Sequence, residues 1–184
     1  MFLLRHGQSY FNLHFTETRR DPGIEDPELT ELGQAQAHAA AAALAGAGIT
    51  RVIVSPYLRA LQTAEPFRAL PGVSVEVMHE VRERTAFVCD IGSAPAQLAT
   101  RFPHHEFGHL PERWWHESQE SEAEVIARAD TFRADMRERK DARTTLLVSH
   151  WGFILALTGV SVGNGEWMEF NPAMARPRRI SWRY

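Results

Sequence analysis

Arg5, His6 and Gly7 close a short apolar run, Phe2-Leu3-Leu4, at the start of the chain. Far downstream, Thr145-Leu146-Leu147-Val148 runs into Ser149-His150-Trp151-Gly152 in the same way. Consecutive apolar residues, rather than alternating ones, read as strands buried on both faces of a sheet. Open α/β sheets hold their ligands at the carboxyl edge of the strands, so each histidine falls at such an edge. Two histidines there, with arginines beside them, suit one chemistry: holding a phosphoryl group and attacking it.

The elements that must position these residues alternate. A polar loop is expected over residues 10–28, with Asp21-Pro22-Gly23 as its turn. A helix capped by Thr30 runs through the alanines to Gly46 or Gly48. Residues 51–54 form a buried strand, and Pro56 sits near the start of the next helix, which Pro66 should kink or end. Residues 73–78 alternate apolar and polar, the mark of a strand nearer the sheet edge. Periodicity then fails from residue 83 to about 119, a stretch holding Pro95, Pro103, Pro111 and Trp114-Trp115. A long irregular segment inside a domain reads as a lid or binding loop. Residues 121–139 form an amphipathic helix with Val125, Ala129, Phe132 and Met136 on one stripe and Ser121 with Glu124 as its capping box. A strand at 144–148, a helix from about residue 153, and short strands at 166–170 and 179–184 complete the pattern. It predicts a three-layer α/β/α sandwich on a mostly parallel sheet.

At 184 residues the chain reads as a single domain with an irregular cap inserted at about 84–120. The net charge of −3 gives no footprint for nucleic acid or an anionic membrane. No apolar stretch reaches the roughly 18 residues needed to span a bilayer, and no export signal is visible. Cys89 stands alone, which excludes an internal disulfide and fits a reducing cytoplasm. The expected partner is a small phosphorylated metabolite, and a homodimer is compatible with the sequence.

With these pieces in order, the chain resembles the histidine phosphatase superfamily, the phosphoglycerate mutase-like fold, over essentially its whole length. The resemblance is carried by Arg5-His6-Gly7-Gln8-Ser9 with Asn12, by Leu29-Thr30-Glu31-Leu32-Gly33, and by Ser55-Pro56-Tyr57-Leu58-Arg59-Ala60-Leu61-Gln62-Thr63-Ala64. Arg82-Glu83-Arg84, Glu117-Ser118 ahead of Arg128, and Ser149-His150-Trp151-Gly152 complete it. It implies that His6 is the nucleophile and passes through a phosphohistidine, with a backbone carbonyl fixing its tautomer. Arg5, Arg59 and His150 would clamp the phosphoryl oxygens, with Ser9 and Asn12 adding neutral donors. Glu83 matches the family's proton donor, and Glu80, three residues earlier, competes with it for that role. The resemblance implies no cofactor and no metal.

Several residues carry two readings. Ser9, Asn12, Thr30 and Gln62 are residue types that turns and caps also use, and Thr30 fits a cap better than a ligand. Trp114 and Trp115, with Arg84, are candidates for the substrate pocket; equally, the tryptophans could cap the core beneath a loop. His105-Glu106-Phe107-Gly108-His109 spells the zinc-peptidase signature H-E-x-x-H, with His116 within reach as a third ligand. Pro103 and Pro111 bracket it and Gly108 interrupts it, so the continuous helix that signature needs is not expected. The 104–109 cluster reads instead as a polar loop over the pocket or as solvated surface. The mutase branch carries Glu-Arg-His-Tyr-Gly after its acid and a longer cap. Glu83-Arg84-Thr85-Ala86-Phe87 departs from that, which favours plain phosphatase chemistry over mutase-type transfer; a non-catalytic phospho-ligand sensor is the remaining alternative.

Overall fold

The computed structural model describes residues 1–177 and 179–182. Its centre is a five-stranded sheet in the order β3-β2-β4-β1-β5. The strands are β1 (Phe2–Arg5), β2 (Arg51–Val54), β3 (Ser74–Val77), β4 (Thr145–Ser149) and β5 (Trp167–Glu169). The first four in that order run parallel, and β5 joins β1 antiparallel at the edge. The expected strand at 166–170 is thus present and shorter. Residues 179–182 form no strand, and the rest of that expected strand lies outside the described residues.

The period of two along each strand divides the core. Leu4, Val52, Val54, Leu146 and Val148 point to one face, where α2 (Glu31–Leu44) and α3 (Leu58–Arg68) supply Ala40, Ala41, Leu44, Leu61, Ala64 and Phe67. Leu3, Ile53 and Leu147 point to the other, against α5 (Glu122–Glu138) and α6 (Trp151–Thr158). This is the predicted three-layer arrangement. Thr30 caps α2 by accepting from the Gly33 amide, and Ser121 with Glu124 forms the capping box of α5, both as the sequence indicates. Pro66 does not stop α3 at once: it sits in the last turn, and the helix ends two residues later.

Two helices were not expected. Residues 10–28 are not all loop, because α1 (Tyr10–Thr18) occupies the first half. Ser9 caps α1 in a capping box with Asn12, and Phe11 stacks on Phe15 one turn later. Those contacts outweigh the modest helix propensity of a segment rich in Thr, His and Asn. Within the irregular stretch, α4 (Pro95–Arg101) starts with proline at its first position, where no intrahelical donor is needed.

Gly7 and Gly33 bring the loop after β1 against the start of α2. A methyl on Gly33 would overlap the Gln8 carbonyl, and one on Gly7 would overlap the carbonyl of Gly33. Alanine is the better helix former by about 1 kcal/mol, but backbone cannot swing aside as a side chain can. Gly33→Ala should therefore lower stability by about 1–3 kcal/mol and Tm by several degrees. An unchanged calorimetric Tm would contradict this close approach.

Candidate active site

Register decides which residues meet. Arg5 pairs with Ser149, so the residues that follow, His6 and His150, leave neighbouring strands side by side. The His6 amide donates to the Ser149 carbonyl at 3.0 Å, and the two imidazole centroids lie 5.0 Å apart. Ser55, just beyond β2, is next along the same edge and holds His150 Nε2 at 2.8 Å.

The nucleophile candidate is set by one hydrogen bond. His6 Nδ1 lies 2.7 Å from the Gly7 carbonyl, which can only accept. In the neutral ring the proton is therefore on Nδ1 and the lone pair on Nε2. Burial, then the charges of Arg59 and Arg5, holds the His6 pKa well below the ordinary imidazole value, against a smaller opposing pull from Gly7. Burial and Arg59 do the same to His150. His150 is fully buried behind His6, with the edge of Tyr57 5.1 Å away, and its Nδ1 has no hydrogen-bond partner among the described residues.

In front of His6 opens a cavity of about 270 Å³, lined by Arg5, Ser9, Asn12, Arg59 and Glu83 among others. Arg5 is tied to the Val162 carbonyl at 3.0 Å. Arg59 lies 4.3 Å over the Tyr57 ring, donates to the Cys89 carbonyl at 2.8 Å, and pairs with Asp90 at 3.1 Å. The second oxygen of Asp90 accepts from the amides of Ala86 and Phe87. Burial pushes the Cys89 thiol far up, which leaves it protonated and inert.

Glu83 reaches the cavity from the loop after β3. Its Oε1 accepts from its neighbour's amide, Arg84 N, at 2.8 Å, and its Oε2 from the Gly152 amide in the first turn of α6 at 3.2 Å. A methyl on Gly152 would overlap Oε1 and push the Glu83 carboxyl from this position. Burial raises the Glu83 pKa, and the charge of Asp90 adds to it, against smaller opposing pulls from the two amides and Arg59. Glu80 instead turns outward, 53% exposed beside His79.

Ser9 and Asn12 are caps and cavity wall at once. Asn12 Oδ1 accepts from the Ser9 amide and hydroxyl and from Asn164 Nδ2, which leaves its own amide nitrogen as the donor. Trp114 and Trp115 do not line this cavity. Trp114 packs 4.7 Å from Tyr57 in the core and donates to the Ser93 carbonyl, while Trp115 meets its edge. Arg84 also lies off the cavity, over the Trp182 ring and bonded to the Glu120 carbonyl.

Sequence reasoning did not single out Phe11, Phe15, Phe87 or Asn164, which also line the cavity. Phe11 and Phe15 carried a usable signal, an aromatic pair four apart behind a capping serine. Asn164 carried none. The H-E-x-x-H string forms no helix: His105 is buried against Glu65 at 2.8 Å, and His109 bonds the Val77 carbonyl. His105 is therefore neither solvated surface nor part of a loop over the cavity.

Residues 1–176 match the sequence pattern of the histidine phosphatase superfamily (branch 1), and the chain belongs to that superfamily. Phosphomonoester hydrolysis through a phosphohistidine is the activity this membership carries, with mutase-type transfer as the alternative within it. The glucosyl-3-phosphoglycerate phosphatase of Mycolicibacterium vanbaalenii is 30% identical over 178 residues, 89% of this chain and 74% of that one. A probable phosphoglycerate mutase of Yersinia enterocolitica is 35% identical over 83 residues, 45% of this chain and 37% of that one. The solved structure of a mycobacterial glucosyl-3-phosphoglycerate phosphatase in complex with VO3 superposes with a TM-score of 0.64 at 27% identity, over 91% of this chain and 88% of that one.

Because both histidines have depressed pKa values in the folded state, their contribution to stability is present above about pH 6.5 and is lost as pH falls. Burial also raises the carboxyl pKa values of Asp90 and of Asp26, which accepts from the Leu58 amide, and with Glu83 these act in the opposite sense, favouring the fold at acid pH and losing that contribution as pH rises. A single-site comparison separates the two. Denaturation of His150→Gln between pH 7 and 5.5 should show a shallower acid loss than the parent, by up to about 1.4 kcal/mol per pH unit. Identical slopes would mean that His150 is charged in the native state.

Proposed function

We propose that His6, Arg5, Arg59 and Glu83 hydrolyse a small anionic phosphomonoester in two displacements, with His150, which does not line the cavity and is held by Ser55, backing the His6 ring rather than clamping the phosphoryl oxygens. In the first, His6 Nε2 attacks phosphorus, the P–O bond to the leaving group breaks, and Glu83 gives its proton to the departing oxygen. In the second, Glu83, now a carboxylate, takes a proton from water as the water oxygen bonds phosphorus. The P–N bond then returns its electron pair to His6, and inorganic phosphate is left. The guanidinium groups of Arg5 and Arg59 meet charge on the non-bridging oxygens, where fixed donors in a water-poor site act most strongly.

The observation that carries this reading is the His6–Gly7 hydrogen bond: it leaves an unprotonated Nε2 in a cavity that is also lined by Arg5, Arg19 and Arg59 and by Glu83, a carboxyl with a raised pKa. A phospho-ligand sensor would need the cations but not that carboxyl. The relatives' names concern phosphoglycerate esters, which supports a small phosphorylated metabolite as substrate. The short cap, with one single turn and the seven-residue α4, supports hydrolysis over mutase-type transfer. Among the described residues no helix is long and apolar enough to cross a membrane.

Turnover of p-nitrophenyl phosphate should survive EDTA and be blocked by vanadate, which mimics the pentacoordinate phosphorus. His6→Ala should abolish turnover without loss of the fold, and acid-quenched parent enzyme should carry phosphate on His6. Label on His150, or activity lost in EDTA and restored by zinc, would overturn the scheme.

Glu83→Gln tests the acid. An alkyl alcohol leaves poorly without a proton, so alkyl phosphate hydrolysis should fall by about 10² to 10⁴. Nitrophenolate leaves as an anion, so phosphorylation by that ester should suffer much less, and phosphoenzyme should accumulate as a burst. Equal losses on both esters with no burst would remove Glu83 from the role.

A further inference from the structure

The residues at the strand edge are positioned by the sheet, but Glu83 is not. It sits on a loop beyond a single helical turn at residues 79–81, and no strand partner holds its backbone. We infer that Arg128 of α5, neutralised by the buried carboxylate of Glu120, is the positioning residue that sets this loop and so aims Glu83 into the cavity.

The geometry spends all of the guanidinium. Arg128 Nη1 donates to the carbonyls of Glu80 at 2.7 Å and Arg82 at 2.9 Å. Its Nη2 donates to the Glu83 carbonyl at 3.4 Å and to Glu120 Oε2 at 2.6 Å, and its Nε to Glu120 Oε1 at 3.0 Å. Those are the five donors an arginine has, and three of them fall on the carbonyls of one four-residue loop. Glu120 is 2% exposed, and a carboxylate this deep requires its cation. Its backbone closes the same clamp from the other side: the Glu120 amide donates to the Thr85 carbonyl, and the Glu120 carbonyl accepts from Arg84 Nε. The acid is thereby fixed on both flanks, residues 80–83 by Arg128 and residues 84–85 by Glu120. Glu117, which precedes Arg128 in the sequence motif, does not meet it: it is exposed and bound to Arg113.

Arg128 does not itself line the cavity: it reaches it through the Glu83 backbone and, as a charge, through His150, and a substitution that keeps the charge holds the second route constant. The proposal rests on Glu83 being the proton donor, and the experiment separates the two. Arg128→Lys keeps a cation beside Glu120 but gives up the planar fork, so the loop carbonyls lose their shared anchor. It should lower kcat/KM for an alkyl phosphate by about 10-fold or more while changing phosphorylation by p-nitrophenyl phosphate less than about 3-fold. In the Glu83→Gln background the same substitution should add almost nothing, because the two act as one unit. Glu120→Gln should show the same pattern, with near-UV circular dichroism matching the parent. Equal losses on both esters, a full additional loss in the Glu83→Gln background, or collapse of both variants' near-UV spectra would make the pair structural and overturn the inference. If Glu83→Gln itself shows no dependence on the leaving group, the acid assignment is what fails, and this proposal falls with it.

Discussion

The site depends first on the parallel pairing of β1 with β4. His6 and His150 are separated by most of the chain, and neither the composition nor any local turn brings them together. Four backbone pairs, from Phe2 with Leu146 to Arg5 with Ser149, do so. A slip of one residue would turn Leu3 and Leu147 toward the wrong helix layer, so the same apolar packing that stabilises the sheet fixes the edge where the histidines emerge. Because the strands are buried on both faces, the register is held twice over. The chemistry inherits a rigidity that a loop could not supply.

Placing two arginines beside two histidines creates the site's electrostatic character. Each guanidinium opposes protonation of the rings, and burial opposes it further, so both rings are held neutral. A buried guanidinium needs a counter-charge of its own, and Asp90 supplies it for Arg59. Asp90 in turn spends its other oxygen on the Ala86 and Phe87 amides, three residues past the acid. Arg59 and the loop carrying Glu83 are therefore joined through one carboxylate. That carboxylate also adds to the rise in the Glu83 pKa, so the counter-charge of Arg59 and part of that rise come from a single residue.

What the sequence shows well is whatever the backbone decides locally. Four of the five strands announce themselves by apolar runs or alternation, and Thr30 and Ser121 cap the helices their types predict. Gly33 stands where close approach of backbone excludes a side chain, though no pattern in one sequence distinguishes it from a glycine in a turn. The cavity wall was less legible, because it is built by tertiary contacts. Phe87 meets Phe11 and Phe15 only once the irregular segment folds back on α1, itself hidden by poor helix formers. The tryptophan pair misleads for the converse reason: large rings in a loop suggest a pocket, yet Tyr57 and Gly92 offer Trp114 a place in the core.

Glu83 marks the boundary between these regimes. A nucleophile can sit at a strand end, because attack needs one fixed atom in one direction. In the proposed mechanism the acid serves two partners in turn, the leaving oxygen and then water, and Glu83 stands on the loop after β3 rather than at a strand end. Such a loop leaves backbone groups without ladder partners. The carbonyls of Glu80, Arg82 and Glu83 are such groups, and a guanidinium with five donors can satisfy several at once. Bringing that cation into the fold then demands a carboxylate as deep as Glu120. The buried ion pair thus follows from where the acid has to stand. Glu120 serves Arg82 as well, at 3.7 Å, and none of the three lines the cavity.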